Sequence, residues 1–394
     1  MNKNKYIRTI FSLVTFFSFS SSYAEFDPAV VKAGGVEIVP VISVSQLYDS
    51  NYLYREADEK SAMLTLLKPK MTASVGVGAN KYSLEAAASI GRNSENSADD
   101  YVDSRLAIDL NQSFSRKMLL DVVIERTNTH EDRGTGYSSD DNSLLDEPDK
   151  YHITRFDGKF SYGSKDAIGR IVFNLSSGSR IYDNHRAVTK ARDRNDASGS
   201  VTFFYHVMPK TSLLFELTHR EFDYEVSTIY NSIEQQAYAG VSWDISALTT
   251  GSAKAGLLEK NFNDADGKDF SGFSWDIGVR WTPLSYSVID VLTKGRTEET
   301  NGDGDYIDSK TVLTKWTHFW NERVDTVVSA NITKNDYQPS SREDGILNIG
   351  IQANYNMRRW LVVGAGFSHS ENRSTQAGFD YAKNVVSINL TAGL

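Results

Sequence analysis

Apolar and polar residues alternate along most of this chain. The alternation is clear in Leu119–Glu125 and again in Ser274–Trp281. A period of two residues is typical of a β-strand with one apolar and one polar face. Segments of roughly ten residues with this pattern recur along the whole sequence, as in transmembrane barrels. The pattern therefore predicts an all-β fold, a transmembrane antiparallel outer-membrane β-barrel with an apolar exterior and a polar interior.

The connections between these segments alternate between short and long. Eight short turns and nine longer polar connections predict 18 strands. A barrel of 16 strands is the alternative, because the alternation is blurred near 286–296 and 305–319. Bacterial barrels place short turns in the periplasm and long loops outside, so we expect that orientation here. The short turns are predicted at Gly78–Lys81, Ser115–Lys117, Gly163–Asp166, Met208–Thr211, Ala247–Gly251, Pro283–Ser285, Asn321–Arg323 and Asn356–Arg359.

Aromatic residues lie beside the short turns, which favours a membrane barrel over a soluble β-sandwich or propeller. Such residues form girdles at the membrane–water interface, whereas a soluble fold does not require them. The last strand supports the same interpretation, since Val386, Ile388 and Leu390 alternate with polar residues. The predicted girdle consists of Tyr82, Phe114, Tyr162, Tyr205, Trp281, Phe319, Trp320, Tyr355 and Trp360.

The N-terminus predicts export. Residues 1–24 have a basic start, a short apolar stretch and the sequence Ser22-Tyr23-Ala24, which together predict a cleaved signal peptide. We expect a short periplasmic segment at 25–36 and the barrel at 37–394. The predicted location is therefore the bacterial outer membrane, with outer-membrane lipid as a partner.

The net charge argues against nucleic acid as a partner. The chain carries −9, and removal of Lys3, Lys5 and Arg8 with the signal peptide gives −12. Proteins that bind nucleic acid present basic surfaces instead. The oligomeric state is left open.

Charged residues fall on the face that alternation assigns to the interior. Twelve basic and ten acidic residues are assigned inward, which predicts a hydrated lumen with weak ion preference. The alternative is that inward charges pair across neighbouring strands and stiffen the wall. The predicted pore-lining residues are Arg105, Asp109, Asp121, Glu125, Arg155, Asp157, Lys159, Arg170, Arg180, Glu216, Arg220, Asp276 and Arg280. The remaining inward residues are Lys68, Lys70, Lys254, Lys260, Lys294, Glu85, Asp103, Asp290 and Asp325.

A lumen of this size stays open unless something fills it. The longest connection, 131–150, is acidic and fits either an infolded constriction or a solvated outer loop.

Phe204 and Phe222 are assigned inward and could stack on sugar rings or simply fill space against a neighbouring strand.

The sequence offers no convergent catalytic motif. None of the seven histidines has metal-ligand spacing, and GxSxG and HExxH are absent. His130 and His185 are interpreted as rim residues near acidic neighbours. Two segments, 263–269 and 301–305, faintly resemble calcium loops, but tight surface turns use the same residues. We therefore expect no enzyme, no metal and no cofactor.

Five short segments form recognisable motifs: Pro40–Val44, Tyr48–Asn51, Leu66–Pro69, Tyr182–Asn184 and Arg192–Asp196. Together they resemble the putative β-barrel porin family of proteobacterial outer-membrane proteins, whose members often accompany exopolysaccharide or capsule synthesis. The resemblance implies a channel for export of exopolysaccharide, with envelope polysaccharide-export proteins as partners. A general diffusion porin and a structural or adhesive surface barrel remain alternatives.

Overall fold

Nearly all of the described chain is β-strand. The computed structural model describes residues 26–139, 145–164, 167–246, 248–264, 267–300 and 302–393, so the predicted signal peptide lies outside them. The strands are β1 (Val31–Ala33), β2 (Val36–Asp49), β3 (Ala62–Val77), β4 (Asn80–Asn93), β5 (Tyr101–Ser115), β6 (Met118–Glu131), β7 (Asp149–Tyr162), β8 (Gly169–Tyr182), β9 (Arg194–Met208), β10 (Thr211–Tyr224), β11 (Ser232–Ser246), β12 (Thr249–Phe262), β13 (Phe270–Leu284), β14 (Ser287–Glu299), β15 (Tyr306–Phe319), β16 (Val324–Gln338), β17 (Glu343–Arg358), β18 (Leu361–Ser374) and β19 (Tyr381–Gly393).

Strands β2 to β19 form a closed antiparallel barrel of 18 strands. Each strand pairs with the next along the chain, and β19 pairs with β2 from Val385↔Asp49 to Gly393↔Val41. Both blurred segments are complete strands, β14 and β15, so the prediction of 18 strands is confirmed and the alternative of 16 is wrong. Closure leaves the barrel without an edge strand, so backbone groups within the wall find partners on both sides.

A short hairpin precedes the barrel. β1 pairs with the start of β2, and the backbone N–H of Asp27 donates to the carbonyl of Arg359 at 2.8 Å. This segment is therefore attached to the barrel end that carries the short turns.

Short turns and long loops lie at opposite ends of the barrel, as the strand bounds require. Two of the predicted short turns, at 163–166 and 247–251, include residues outside the described set. One helical turn, α1 (Arg186–Thr189), and short 3₁₀ turns at Ser97–Asp99, Gly136–Ser138, Lys190–Arg192 and Thr228–Tyr230 lie in long loops.

No helix among the described residues is both long and apolar enough to cross a membrane.

The exterior is an apolar surface, as alternation predicts. Leu106, Phe173, Leu217 and Ile388 are exposed on their strands, whereas their sequence neighbours turn to the interior. Aromatic side chains of the predicted girdle are exposed near the short turns, among them Phe114, Tyr162, Tyr205, Trp281, Trp320, Tyr355 and Trp360. The final residue, Leu394, lies outside the described residues.

The orientation of the barrel can be tested with single cysteines, because the chain contains none. Asp146 lies in the long loop 132–148 with its side chain 96% exposed, and Lys210 lies in the short turn between β9 and β10. On intact cells, a membrane-impermeant maleimide should label Asp146→Cys and leave Lys210→Cys unlabelled. The reverse pattern would invert the orientation, and permeabilised cells should show both labels.

Candidate functional site

The inner face of the barrel carries a row of alternating charges across four strands. Lys70 of β3 contacts Glu85 of β4 at 3.2 Å, and Glu85 accepts a hydrogen bond from Arg105 of β5 at 2.5 Å. Arg105 also donates to Glu125 of β6 at 2.7 Å. The row arises because inward residues of adjacent antiparallel strands lie side by side. Two predicted pore-lining residues, Arg105 and Glu125, are therefore directly paired.

Other predicted residues are also paired around the wall, within one strand, between neighbouring strands or across one intervening strand. These contacts are Arg155 with Asp157 at 3.3 Å, Arg220 with Glu234 at 2.8 Å, Glu216 with Lys254 at 2.7 Å, and Arg280 with Asp290 at 2.6 Å. The pairing agrees with the alternative that inward charges stiffen the wall, and it leaves little charge of one sign unbalanced.

The remaining predicted residues take several environments. Asp109 is buried, and Asp121 accepts a hydrogen bond from Asn111 at 3.0 Å. Lys159 lies opposite Asp121 in the β6–β7 register, and Asp276 lies opposite Lys254 and Lys294. Arg170 and Arg180 lie over aromatic rings, those of Phe204 and Tyr151.

The two inward phenylalanines are covered by cations. The guanidinium of Arg170 lies 4.3 Å from the centre of the Phe204 ring, and the ammonium of Lys260 lies 4.4 Å from the Phe222 ring. Each ring therefore has a cation–π partner within the protein. Of the two alternatives, these contacts favour space filling over stacking on a sugar.

The outer end of the β14–β15 hairpin folds into the lumen. The β13–β14 register reaches outward only to Trp275↔Gly295, whereas β13 begins at Phe270 and β14 continues to Glu299. Beyond Gly295, β14 therefore leaves β13 and remains paired with β15 alone. The hairpin is free to bend at this point because its tip is no longer part of the wall.

Side chains of the tip confirm the direction of the bend. By alternation Thr297, Glu299 and Tyr306 belong to the outward series, yet they contact inward residues of other strands. Thr297 donates to Glu234 of β11 at 2.7 Å, and Tyr306 packs edge-on against the ring of Phe270 at 5.6 Å. The outward face of the tip therefore lies on the inner face of β10–β13.

A buried ion pair anchors this hairpin. Lys260 of β12 donates to Glu299 at 2.5 Å, and the hydroxyl of Tyr224 on β10 donates to the same carboxylate at 2.8 Å. The side chains of Lys260 and Glu299 are 0% and 9% exposed. The stability of a buried charge depends on its oppositely charged partner, since water does not reach the site to solvate the charge.

The β6–β7 hairpin folds inward in the same manner. The β5–β6 register begins at Ser104↔Asn128, whereas β5 begins at Tyr101 and β6 ends at Glu131. His130, outward by alternation, contacts Asp103 on the inner face of β5 at 2.8 Å and lies 3.9 Å from the ring of Tyr101. This hairpin is eight strands from β14–β15 in a ring of 18, so the two lie on nearly opposite sides.

Loop 50–61, between β2 and β3, contacts the loop of the β6–β7 hairpin. The hydroxyl of Tyr54 donates to Asp132 at 3.3 Å, and the ammonium of Lys383 on β19 lies 3.8 Å from the Tyr54 ring. Gly134 approaches the carbonyl of Leu53 so closely that a Cβ there would lie 1.9 Å from the oxygen. Loop 50–61 is thereby held against loop 132–148.

Both partners of the Tyr54–Asp132 hydrogen bond have shifted pKa values. Burial and the charge of Asp132 raise the pKa of Tyr54 well above its ordinary value, so the hydroxyl stays protonated and donates. Burial alone would raise the pKa of Asp132, but hydrogen bonding and charge from His130, with Lys383, lower it below the ordinary value. The contact is therefore intact at neutral pH and weakens as acid protonates Asp132.

Asp132→Asn is expected to release loop 50–61 at neutral pH, because it imitates the protonated state. Loss of a charge-assisted hydrogen bond of about 1.4 kcal/mol corresponds to about tenfold faster cleavage by trypsin at Arg55 and Lys60. Asp146→Asn, at an exposed position of the same loop, serves as the control. Equal cleavage of both variants and the parent would contradict this contact.

The sequence anticipated part of this arrangement. Asp132, at the start of loop 132–148, contacts loop 50–61 inside the mouth, which agrees with the alternative that this loop folds inward. Residues 140–144 of the loop lie outside the described set. His130 and His185 do meet carboxylates, those of Asp103 and Asp149. The infolded β14–β15 hairpin was not predicted, and the blurred alternation of its two strands was the signal for it.

The alternation of the sequence also failed to predict several charged residues that point inward. Arg192 is buried beneath the mouth, where it donates to Glu131 at 2.8 Å and to Asp149 at 3.3 Å and lies over the Tyr182 ring. These residues belong to loops or strand ends, where the period-2 pattern stops.

Within the described ranges, no group of three or more His, Cys, Asp or Glu side chains is arranged to hold a metal ion. Residues 265, 266 and 301 of the two calcium-like segments are outside those ranges.

Comparison with known proteins identifies a family. The sequence profile described as Putative beta-barrel porin 2 matches residues 24–394. No curated protein matches the chain.

Solved structures share the barrel at low identity. The outer membrane protein OpdK from Pseudomonas aeruginosa is 12% identical, with a TM-score of 0.52 over 91% of this chain and 99% of that chain. The FrpB iron transporter from Neisseria meningitidis (F5-1 variant) is 10% identical, with a TM-score of 0.50 over 93% of this chain and 79% of that chain. At these identities the likeness shows the fold.

Proposed function

Since this chain belongs to the Putative beta-barrel porin 2 family and is a porin-like β-barrel channel of the bacterial outer membrane, we propose that it conducts small polar solutes by passive diffusion. The observation that carries the proposal is the pair of infolded hairpins, β6–β7 and β14–β15, at opposite sides of the outer mouth. They narrow a lumen that 18 strands would otherwise leave wide. Small solutes fit such a passage better than a hydrated polymer does.

The charges of the wall support weak ion preference. Strong selectivity requires a field of one sign focused in the lumen. Here Arg105, Glu216, Arg220 and Arg280 each have an oppositely charged partner within 3 Å. The predicted pore-lining set is therefore proposed to shape the passage more than to select a sign of charge.

Conductance measurements test this function. Purified protein in a planar bilayer should give ohmic steps, and a tenfold KCl gradient should give a reversal potential close to zero. Absence of any conductance would favour a structural or adhesive barrel, and a reversal potential near the limit for one ion would contradict balanced lumen charge. Arg105→Gln, which leaves Glu85 and Glu125 without their shared partner, should shift the reversal potential toward cation preference.

Export of exopolysaccharide is the second candidate function. It rests on the family resemblance, and one observation favours it: the inner wall formed by β16–β19 has few charges along its length. In a deletion strain, loss of surface polymer with accumulation in the periplasm would support export. Unchanged surface polymer with reduced uptake of small solutes would favour diffusion.

The diffusion proposal agrees with one solved structure of this fold, since OpdK has been solved with vanillate, a small carboxylate.

A further inference from the structure

One sector of the outward face of the barrel is polar where the rest is apolar. In the outward series of β8, two serines, Ser177 and Ser179, lie between Leu175 and Ile181. The outward apolar residues nearer the short turns, from Ile171 to Leu175, cover only about 13 Å of strand. The apolar band of an outer-membrane barrel is ~25 Å tall. The serines therefore lie within the band and not above it.

The same interruption occurs on neighbouring strands. Ser104 of β5 lies between outward Leu106 and Val102, and Val102 is exposed. Asn128 of β6 donates to Ser104 at 2.8 Å, which joins the two strands. The interruption of the band on β8 is thus repeated three strands away.

Further polar residues extend this sector to β10. Arg126 of β6 donates to Thr154 of β7 at 3.3 Å, and Thr154 lies opposite Ser179 in the register. Ser177 lies opposite Ala197 of β9, which lies opposite Glu221 of β10. We call this sector the polar patch; its residues are Ser104, Arg126, Asn128, Thr154, Ser177, Ser179, His219 and Glu221.

The opposite side of the barrel has an uninterrupted apolar face. β17 lies nine strands from β8 in the ring of 18, and its outward Ile349 and Ile351 are exposed. Val386, Ile388 and Leu390 continue this face on β19. Lipid tails form no hydrogen bonds, and an arginine on the lipid face destabilises a barrel. The polar patch is therefore a poor surface for lipid, whereas the opposite face is a good one.

The composition of the polar patch fits contact with another protein in the membrane. Small and hydroxyl-bearing residues let two membrane proteins approach closely and bond to each other. Ser177 and Thr154 are exposed, and between β8 and β10 the strand β9 presents only Ala197 and Gly199. Arg126 and Glu221 balance in charge, so the polar patch lacks the basic surplus that would attract lipid phosphates.

The polar patch is complementary to itself. A hydroxyl both donates and accepts, so two identical hydroxyl faces can pair. β8 is central, and the exposed side chains of Arg126 on β6 and Glu221 on β10 lie two strands to either side of it. A twofold axis along the membrane normal at β8 places β6 of each copy opposite β10 of the other. Arg126 of one copy then faces Glu221 of the second.

We propose that the polar patch is the contact surface between two copies of this chain in the outer membrane. The serines of β8 meet near the axis, and the two Arg126–Glu221 pairs flank them. The contact covers the residues that are unsuited to lipid and leaves the lumen of each barrel separate. The inference goes beyond the proposed conduction and does not depend on it.

Cysteine cross-linking in isolated outer membranes tests the contact, because the chain contains no cysteine. Ser177→Cys lies near the proposed axis, so oxidation with copper phenanthroline should give a disulfide-linked dimer on non-reducing gels. Ile349→Cys is the matched control, since it is exposed on the outward face of β17 on the opposite side and should remain monomeric. Equal cross-linking of the two variants would overturn the proposal.

Charge reversal tests the arrangement of the two copies. In mild detergent, Arg126→Glu should raise the dissociation constant of the dimer about tenfold, because two symmetry-related ion pairs are lost and like charges meet. The double variant Arg126→Glu/Glu221→Arg should restore the parent value. Dissociation constants follow from analytical ultracentrifugation. A single variant that associates like the parent, or a double variant that associates no better than the single one, would overturn the twofold contact.

Other occupants of the polar patch would give different results. A Ser177→Cys adduct with a different protein, or a protein that stays monomeric and retains lipopolysaccharide phosphate, would overturn self-association. Heat-modifiable migration on gels establishes that each variant is a folded barrel before it is measured.

Discussion

Replacing residues 297–308 by Asn-Gly is expected to raise the single-channel conductance by about two-fold or more, since a barrel of this strand number leaves an aqueous channel when nothing fills it. The deleted segment is the infolded tip of the β14–β15 hairpin. Arg296 and Ser309 face each other in the register, so a two-residue turn can join them without changing the wall. The measurement is the current step of purified protein in a planar bilayer.

A matched control must alter the tip without removing it. Thr297→Val keeps the volume of the side chain and removes its hydrogen bond to Glu234, so it should change the conductance much less than the deletion does. If the deletion variant folds and its conductance equals that of the parent, the hairpin does not limit flow, and the constriction would then lie at the β6–β7 hairpin.

Lys260→Met is expected to lower the free energy of unfolding by about 3–5 kcal/mol, the usual effect of removing one partner from a buried ion pair. Glu299 would remain buried beside Tyr224 without its ammonium partner. Phe222 would also lose the nearest of the three cations around its ring. Reversible urea unfolding in lipid vesicles, followed by tryptophan fluorescence, measures the change.

The double variant Lys260→Met/Glu299→Gln isolates the cause. Neutralising Glu299 removes the buried unpaired charge, so the double variant should be more stable than Lys260→Met alone. Lys334→Met is the matched control, because Lys334 forms an exposed pair with Glu343 at 2.8 Å and should change stability little. A double variant that is less stable than the single one would show that Lys260 acts through packing instead.

Strand number and facing could be read from the sequence because both depend on local pattern. Period-2 alternation is set by backbone geometry, so the exposed Leu106 and the inward Arg105 follow from adjacent positions in one strand. Short turns are equally local. Those predicted at Ser115–Lys117, Met208–Thr211 and Asn321–Arg323 lie at the observed strand junctions, whereas Pro283–Ser285 and Asn356–Arg359 overlap the ends of β13 and β17. The approximate balance of inward charge followed from the same alternation.

Side-chain hydrogen bonds that link several strands could not be recognised in the sequence. Asn354 of β17 donates to Asp325 of β16, and Asn389 of β19 donates to Gln352 of β17 across β18. Each of these side chains is by itself an ordinary inward residue, and their contacts follow only from the register of β16 to β19 together.

The sequence by itself determined that this chain is an outer-membrane barrel of 18 or 16 strands and which side chains point inward along most of each strand. The tertiary structure alone decided that two hairpins fold into the lumen and which charges are paired. The physical reason is that alternation defines two faces of a strand but not the direction in which its free end bends. Beyond Gly295 and Asn128 the strand ends leave their preceding neighbours, so outward residues such as Glu299 and His130 come to lie inside the barrel.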